Sequence, residues 1–282
     1  MKTVDEIINQ IFCGDARLTL RDFPENCIDM CITSPPYFQQ RRYSAGELEI
    51  GREIDLNTYL NNLRLVFDQV KRVLKPGGTC WVNIGDKYKN GELYLIPHHF
   101  VTEMWANEWK CFNEIIWHVP NAFTGSSKKR FTQDFQYLFA FSKQEDYYFE
   151  QQYEPYKTVY KSFVYNGVGK KDYTKDGAQN PSDAKRSILK SMACALEQGR
   201  GRHVRCVWTI PHRSSDHTAT FPRKLVTTPI LAGSPHGGLV LDPFCGSGTT
   251  LRVASEYGRK YVGIDINPKS VKMADEMVNL GC

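Results

Sequence analysis

The side chains best suited to chemistry stand together at Ser34-Pro35-Pro36-Tyr37. Each proline fixes φ at about −65° and lacks an N–H, so the loop is stiff and its carbonyls are free to accept hydrogen bonds. Ser34 adds a hydroxyl oxygen. A side-chain acceptor beside a main-chain acceptor suits an amino group whose lone pair is delocalised into a ring, as on cytosine or adenine. Accepting both amino hydrogens draws the nitrogen toward tetrahedral geometry and aims its lone pair at a methyl group. Tyr37 offers a ring on which a base turned out of a duplex can stack. Positioning and electrostatics, not a strong general base, would carry the rate of such a site. Taken alone, the same four residues are better described as the end of a strand with a packed tyrosine.

A second constellation lies near the other end of the chain. Gly238-Leu-Val-Leu241 reads as a short strand, Asp242-Pro-Phe-Cys-Gly-Ser-Gly248 as a glycine-bearing loop, and Thr249 to Tyr257 as a helix. Lys260-Tyr-Val-Gly-Ile264 is then a strand ending in Asp265. Strand, turn, helix, strand and terminal acid is the order that binds nucleoside cofactors at the carboxyl end of a sheet, with the acid on the ribose hydroxyls. The loop is G-x-G without the Gly-Lys-Ser/Thr of a phosphate binder. Asp242 would repel a pyrophosphate but suits a ligand with an ammonium group. S-adenosyl-L-methionine has a sulfonium, an α-ammonium and a ribose, and no phosphate. Gly246 and Gly248 would let the backbone approach it closely. A bare G-x-G is by default a structural turn, and the flanking acids are what favour the cofactor.

These loops need a scaffold, and the pattern supplies one. Cys27-Ile-Asp-Met-Cys-Ile-Thr33 is a β-rich run that halts at the prolines. Thr58 to Leu74 carries apolar residues at helical spacing and stops at Lys75-Pro76-Gly77-Gly78. Cys80 to Ile84, Glu114 to His118 and Tyr137 to Phe141 follow as strands, with His98 to Trp105 as a helix. Alternating strands and helices predict a mainly parallel α/β sheet. From 144 to 205 the alternation lapses, leaving turn signals at Asn166-Gly167 and Asp176-Gly177 and one helix candidate, Ser182 to Gln198. The chain therefore divides into a first half of the sheet domain at 1–143, an insertion at 144–205 and a second half at 206–282.

At 282 residues the chain suits one α/β domain with a modest insertion. No stretch approaches the roughly 20 apolar residues of a membrane span, and the N-terminus lacks the order of a signal peptide, so a soluble cytoplasmic protein is expected. The nine cysteines show no C-x-x-C and no zinc-finger spacing, which predicts reduced thiols and no metal. The net charge is +5, yet residues 151–205 hold 11 Lys/Arg against 5 Asp/Glu. Basic residues there alternate with Tyr153, Tyr156, Tyr160, Phe163, Tyr165 and Tyr173, a mixture suited to phosphate contact and base stacking. On charge alone, a solvated basic face is an equal alternative.

Ser34-Pro-Pro-Tyr37 together with Asp242-Pro-Phe-Cys-Gly-Ser-Gly-Thr-Thr250 closely resembles the amino-methylating DNA methyltransferases, in particular the permuted β group whose catalytic motif precedes the cofactor motif. Gly14-Asp15, Leu74-Lys-Pro-Gly-Gly78, Asn83-Ile-Gly-Asp86, His217-Thr-Ala-Thr-Phe-Pro222 and Gly263-Ile-Asp265 extend the resemblance to nearly all of the chain outside 144–205. It implies a Rossmann-like, circularly permuted methyltransferase sheet with an inserted target-recognition region. It also implies S-adenosyl-L-methionine as cofactor and duplex DNA as partner. Phe244, Gly246, Gly248 and Thr249 would surround the cofactor's methionine, Asp265 its ribose and Asp15 its adenine edge. His217, Thr218, Phe221 and Pro222 would close the pocket from the other side. Members whose motif begins with Ser tend to methylate cytosine N4, and those with Asp adenine N6. Cytosine C5 chemistry needs a Pro-Cys nucleophile, and no such dipeptide occurs here. An RNA methyltransferase and an inactive DNA-binding module remain open alternatives, as do a cognate restriction endonuclease and a monomeric or homodimeric state.

Overall fold

The structure is a computed structural model that describes residues 1–40, 48–122, 128–155, 201–212 and 222–279. The described residues fall into two compact units, Met1–Glu150 with Cys206–Cys282, and Gln151–Arg205. In chain order the strands are β1 (Gln10–Cys13), β2 (Ile28–Thr33), β3 (Leu74–Ile84), β4 (Tyr88–Lys89), β5 (Glu92–Leu93), β6 (Lys110–His118), β7 (Phe135–Ser142), β8 (Tyr153–Glu154), β9 (Arg202–His203), β10 (Val207–Thr209), β11 (Leu239–Asp242) and β12 (Lys260–Asp265). The helices are α1 (Ala16–Thr19), α2 (Leu56–Val73), α3 (Ile96–Ala106), α4 (Arg223–Gly233), α5 (Thr249–Glu256) and α6 (Pro268–Asn279).

The larger unit is built on an eight-stranded sheet in the order β1-β12-β11-β2-β3-β7-β6-β10. All strands share one direction except β7, which runs antiparallel to both β3 and β6. The expected mainly parallel sheet is therefore present, with one reversed strand inserted toward an edge. Parallel strands need helical crossovers and are buried on both faces. β2 and β11 accordingly read as almost unbroken buried runs. One face is covered by α1, α2 and α3, whose Ala16, Leu63, Phe67, Phe100 and Met104 join Val82, Ile84 and Leu241 in one apolar cluster. The other face packs Leu225, Val226 and Ile230 of α4 and Val253 and Ala254 of α5 against Met30, Ile32 and Val240.

Helix α2 illustrates why the pattern is obeyed. Asp55 caps it by accepting from the Thr58 amide at 2.9 Å, and Tyr59, Leu60, Leu63, Val66, Phe67, Val70 and Val73 are buried at i, i+3 and i+4 spacing. Pro76-Gly77-Gly78, read as a stop, lies within β3, but the ladder steps from Ile28–Leu74 to Met30–Thr79, so those residues leave the register. Two helices escape the sequence pattern. α4 contains Pro229, normally a breaker because it removes an amide and crowds the preceding turn, and α6 is largely exposed with only Ala274 fully buried.

Residues 143–150 stay with the sheet unit: Tyr147 stacks on Phe112 at 4.2 Å, and the Glu150 amide donates to Ala232 O at 2.8 Å. In the smaller unit β8 and β9 form an antiparallel pair, and Glu154 accepts from Arg202 and Arg205 at 2.8 and 2.9 Å. Asn166-Gly167, Asp176-Gly177 and the Ser182–Gln198 helix candidate lie outside the described residues. Among the described residues, no helix is long and apolar enough to cross a membrane.

Candidate active site

Because β1, β2, β3, β11 and β12 run the same way, they deliver Gly14-Asp15, Ser34–Tyr37, Gly85-Asp86, Asp242–Gly248 and Asp265 to one edge of the sheet. The chain leaves β2 toward β3 on one side and β11 toward β12 on the other, so the strand order reverses between β11 and β2. A crevice opens at such a reversal, and ligands bind there in open α/β sheets. The serine loop and the glycine loop flank it. They are tied together beneath: Thr33 Oγ1 donates to Asp242 Oδ1 at 2.6 Å in a fully buried contact.

The serine loop is held from three sides. Tyr59 of α2 donates to the Pro36 carbonyl at 2.9 Å, so one of the carbonyls expected to be free is already engaged. Gly51, at φ +96°, lies under the loop, and a Cβ there would stand 3.1 Å from Tyr37 O and 3.2 Å from Pro36 Cβ. Gly85 supports the Tyr37 ring, where a Cβ would meet Cε2 at 2.9 Å. The Tyr37 hydroxyl donates to Gln136 Oε1 at 2.6 Å and accepts from Asn83 Nδ2 at 2.7 Å. Asn83 Nδ2 also reaches Gln136 Oε1 at 3.0 Å, and Ser34 Oγ donates to the Tyr37 hydroxyl at 3.3 Å. Ser34 and Tyr37 are half-buried rather than lost in the core.

The glycine loop has a distinct logic at each position. Gly246 has φ +52°, and a Cβ built on it meets nothing within 4 Å, so its backbone faces open space. Gly248 has φ +85°, and a Cβ there would stand 2.8 Å from Ala274 Cα, so this glycine serves the packing of α5 on α6. Thr249 is the first residue of α5 and half-buried, while Phe244 packs against the larger apolar cluster. Asp265 accepts from the Gly246 amide at 2.9 Å and the Asn267 amide at 2.8 Å, one on each oxygen, and remains partly exposed. Burial raises its carboxyl above the usual aspartate range, and the two amides oppose the shift.

Two aspartates differ from expectation. Asp242 is 2 % exposed, and its Oδ1 also accepts from the Phe244 amide at 3.1 Å, so it is a strut beneath the loop rather than an acid open to the crevice. Its burial pushes it up to about 6, with the Thr33 hydroxyl and the Phe244 amide pulling the other way. Asp15 caps α1 through the Arg17 amide at 2.8 Å, and both its oxygens are held by the Arg17 guanidinium. Pro222 stands at the start of α4, and His217, Thr218 and Phe221 lie outside the described residues. Thr33, Tyr59 and Gln136 join the site without any sign in the sequence. Asn83 and Gly85 lie in a family-like motif, but nothing in a single polar residue on an apolar strand distinguishes Gln136.

The cradle fits S-adenosyl-L-methionine: an open backbone at Gly246, a partly exposed carboxylate at Asp265, and a loop from Asp242 to Gly248 that carries no cation for a phosphate. Comparison with known proteins agrees. A family model described as DNA methylase, for N6 and N4 amino methyltransferases, matches residues 28–276. The type II methyltransferase M.Cfr9I of Citrobacter freundii is 30% identical over 295 residues, covering 94% of this chain and 85% of its own. M.SmaI of Serratia marcescens is 30% identical over 301 residues, with 95% and 90% covered. Among solved structures, the PvuII DNA methyltransferase (cytosine-N4-specific) superposes with a TM-score of 0.68 at 21% identity, covering 95% of this chain and 85% of that one. TTHA0409 of Thermus thermophilus, complexed with S-adenosyl-L-methionine, gives 0.64 at 22% identity, covering 96% and 93%. The chain therefore belongs to the amino-methylating N6/N4 family of DNA methyltransferases, enzymes built on a Rossmann-like sheet and supplied with methyl groups by S-adenosyl-L-methionine.

Proposed function

We propose that the enzyme transfers a methyl group to the exocyclic N4 amino group of cytosine in a specific duplex DNA sequence, acting on a base turned out of the helix. The observation that carries this reading is the half-buried Ser34 hydroxyl directly after β2, the strand beside β11, whose following loop carries the open Gly246 backbone. Ser at the head of the motif favours cytosine, as does the likeness to a methyltransferase named as cytosine-N4-specific.

When bound, S-adenosyl-L-methionine supplies an electrophilic methyl group on a sulfonium sulfur. Asp265 would accept the ribose hydroxyls, and Phe244, Gly246 and Thr249 would line the methionine end. Gly248 and Asp242 shape that loop from below, through Ala274 and Thr33. Pro222 with His217, Thr218 and Phe221 would close the pocket, and Asp15, committed to Arg17, would hold the loop after β1. Ser34 Oγ and a loop carbonyl would accept the two amino hydrogens of the target, freeing its lone pair. The face of Tyr37 away from Gly85 would stack on the base. The basic, tyrosine-rich segment at 144–205 would read the DNA, with its phosphate contacts making binding strongly salt-dependent.

Incubation with labelled cofactor and mixed-sequence duplex DNA, followed by digestion to nucleosides, tests the reading. Label is expected in N4-methylcytosine. Label in N6-methyladenine would overturn the choice of base, and transfer to RNA in preference to DNA at matched salt would overturn the substrate class.

A further inference from the structure

We propose that Gln136 and Asn83 are positioning residues that set the polarity of the Ser34 hydroxyl through Tyr37, so that Ser34 can present only lone pairs to the target amino group. The inference rests on the reading of Ser34 as an acceptor made above.

The protons at Tyr37 can be counted. A tyrosine hydroxyl carries one hydrogen. At Tyr37 that hydrogen is directed 2.6 Å to Gln136 Oε1, and the 2.7 Å contact from Asn83 Nδ2 is one it accepts. Ser34 Oγ, 3.3 Å away, can then meet the phenolic oxygen only as a donor. Exchanging nitrogen and oxygen in both amides reverses the two amide contacts, since their mutual 3.0 Å bond requires them to flip together. In either arrangement Tyr37 donates to one amide and accepts from the other, and Ser34 must still donate. The direction of the Ser34 bond follows from the count alone.

The consequence is chemical. A serine hydroxyl free to rotate could point its hydrogen at the target nitrogen and hold the very lone pair that must attack. With that hydrogen engaged by Tyr37, the outward side of Oγ is an acceptor only. Ser34 is thereby organised before the base arrives, which is what electrostatic preorganisation requires.

Asn83 supplies an independent sign that this network has a use beyond packing. It is 1 % exposed, and its Oδ1 has no hydrogen-bond partner among the described residues; with both amides exchanged, its Nδ2 is the unpartnered atom instead. A buried polar atom left unpaired weighs against folding, and an apolar residue of similar shape would remove that penalty. The fold carries it while the other end of the same amide bridges Tyr37 and Gln136. Gln136 reaches this position because β7 is the reversed strand: its first residues, not its last, arrive at the edge where β3 ends, in the register Ile84–Tyr137.

The test is a double-variant cycle on intact enzyme with labelled S-adenosyl-L-methionine and plasmid DNA, using Tyr37→Phe, Gln136→Met, their combination, and Ser34→Ala. Both single variants preserve shape. Each is expected to lower kcat by about tenfold, the scale of one hydrogen bond to a charge-developing centre, with KM for DNA and cofactor Kd unchanged within about twofold. The combination should be no worse than Tyr37→Phe, because Gln136 acts only through that hydroxyl. Melting temperatures establish folding, and if one single variant unfolds, the kcat-against-KM split of the other decides. A full second loss from Gln136→Met on the Tyr37→Phe background would overturn the relay. So would wild-type kcat in both single variants while Ser34→Ala is inactive, an outcome that leaves Ser34 as acceptor. Full activity in Ser34→Ala would overturn that underlying reading itself.

Discussion

Two glycines in one loop, both at positive φ, should fail in different ways when given a methyl group. At Gly246 the new Cβ meets no protein atom within 4 Å, so the stability cost is only that of a left-handed backbone, roughly 1–2 kcal/mol for an L-residue. The methyl group instead projects into the space assigned to the cofactor. At Gly248 the same backbone cost is joined by a collision, with Ala274 Cα at 2.8 Å and Cβ at 2.9 Å, and overpacking of this kind costs about 1–3 kcal/mol. Gly248→Ala is therefore expected to lose on the order of 3 kcal/mol, a fall of roughly 6–12 °C in melting temperature for a domain of this size, and Gly246→Ala about half of that. Thermal melts of the free proteins and calorimetric titration with S-adenosyl-L-methionine separate the two effects. Gly246→Ala should lose tenfold or more in cofactor affinity. Equal melting temperatures for the two variants, or undiminished affinity in Gly246→Ala, would refute the division of labour drawn from their surroundings.

Burial raises Asp242 to about 6 from an ordinary 3.8, so the fold favours its neutral form. The stability this contributes is full below the ordinary value and lost as pH rises through about 6; Asp242→Asn, which keeps an acceptor for Thr33, should gain on wild type by up to the order of 3 kcal/mol between about pH 3 and pH 8, roughly half of it above about pH 5, and melts in which wild type gains instead would contradict it. Gly85→Ala would press a methyl group against Tyr37 Cε2 at 2.9 Å, so kcat should fall severalfold at nearly constant cofactor affinity, measured by single-turnover transfer. Asp15→Ala removes a helix cap and the Arg17 pair, with an expected loss of about 1–2 kcal/mol in melts but a cofactor Kd within about threefold of wild type.

Much of this architecture is legible in the chain because its physics is local. The β2 run ends where proline forbids a further ladder bond, α2 shows its buried face at helical spacing, and the β11-loop-α5-β12 unit announces itself through two glycines and a terminal acid. What is not legible depends on contacts between distant residues. The reversal of β7, which brings Gln136 to Tyr37 from 99 positions away, leaves no periodic trace. Asp242 looks like a ligand-facing acid until Thr33, 209 positions distant, is seen to hold it from below. Gly246 and Gly248 are indistinguishable as letters, and only Ala274 separates their duties. α4 is hidden by Pro229, whose amide penalty is outweighed by burial of Leu225, Val226 and Ile230.

In the proposed reaction, Ser34 accepting one hydrogen of a cytosine amino group during methyl transfer is the step on which everything else depends. Mass spectrometry of nucleosides from plasmid DNA, recovered from cells expressing either the wild-type chain or Ser34→Ala, addresses it directly. N4-methylcytosine in the first sample and its loss in the second, from a variant that still binds S-adenosyl-L-methionine with wild-type affinity, is the predicted result. N4-methylcytosine at undiminished levels in the Ser34→Ala sample, or N6-methyladenine in its place in the wild-type sample, would contradict it.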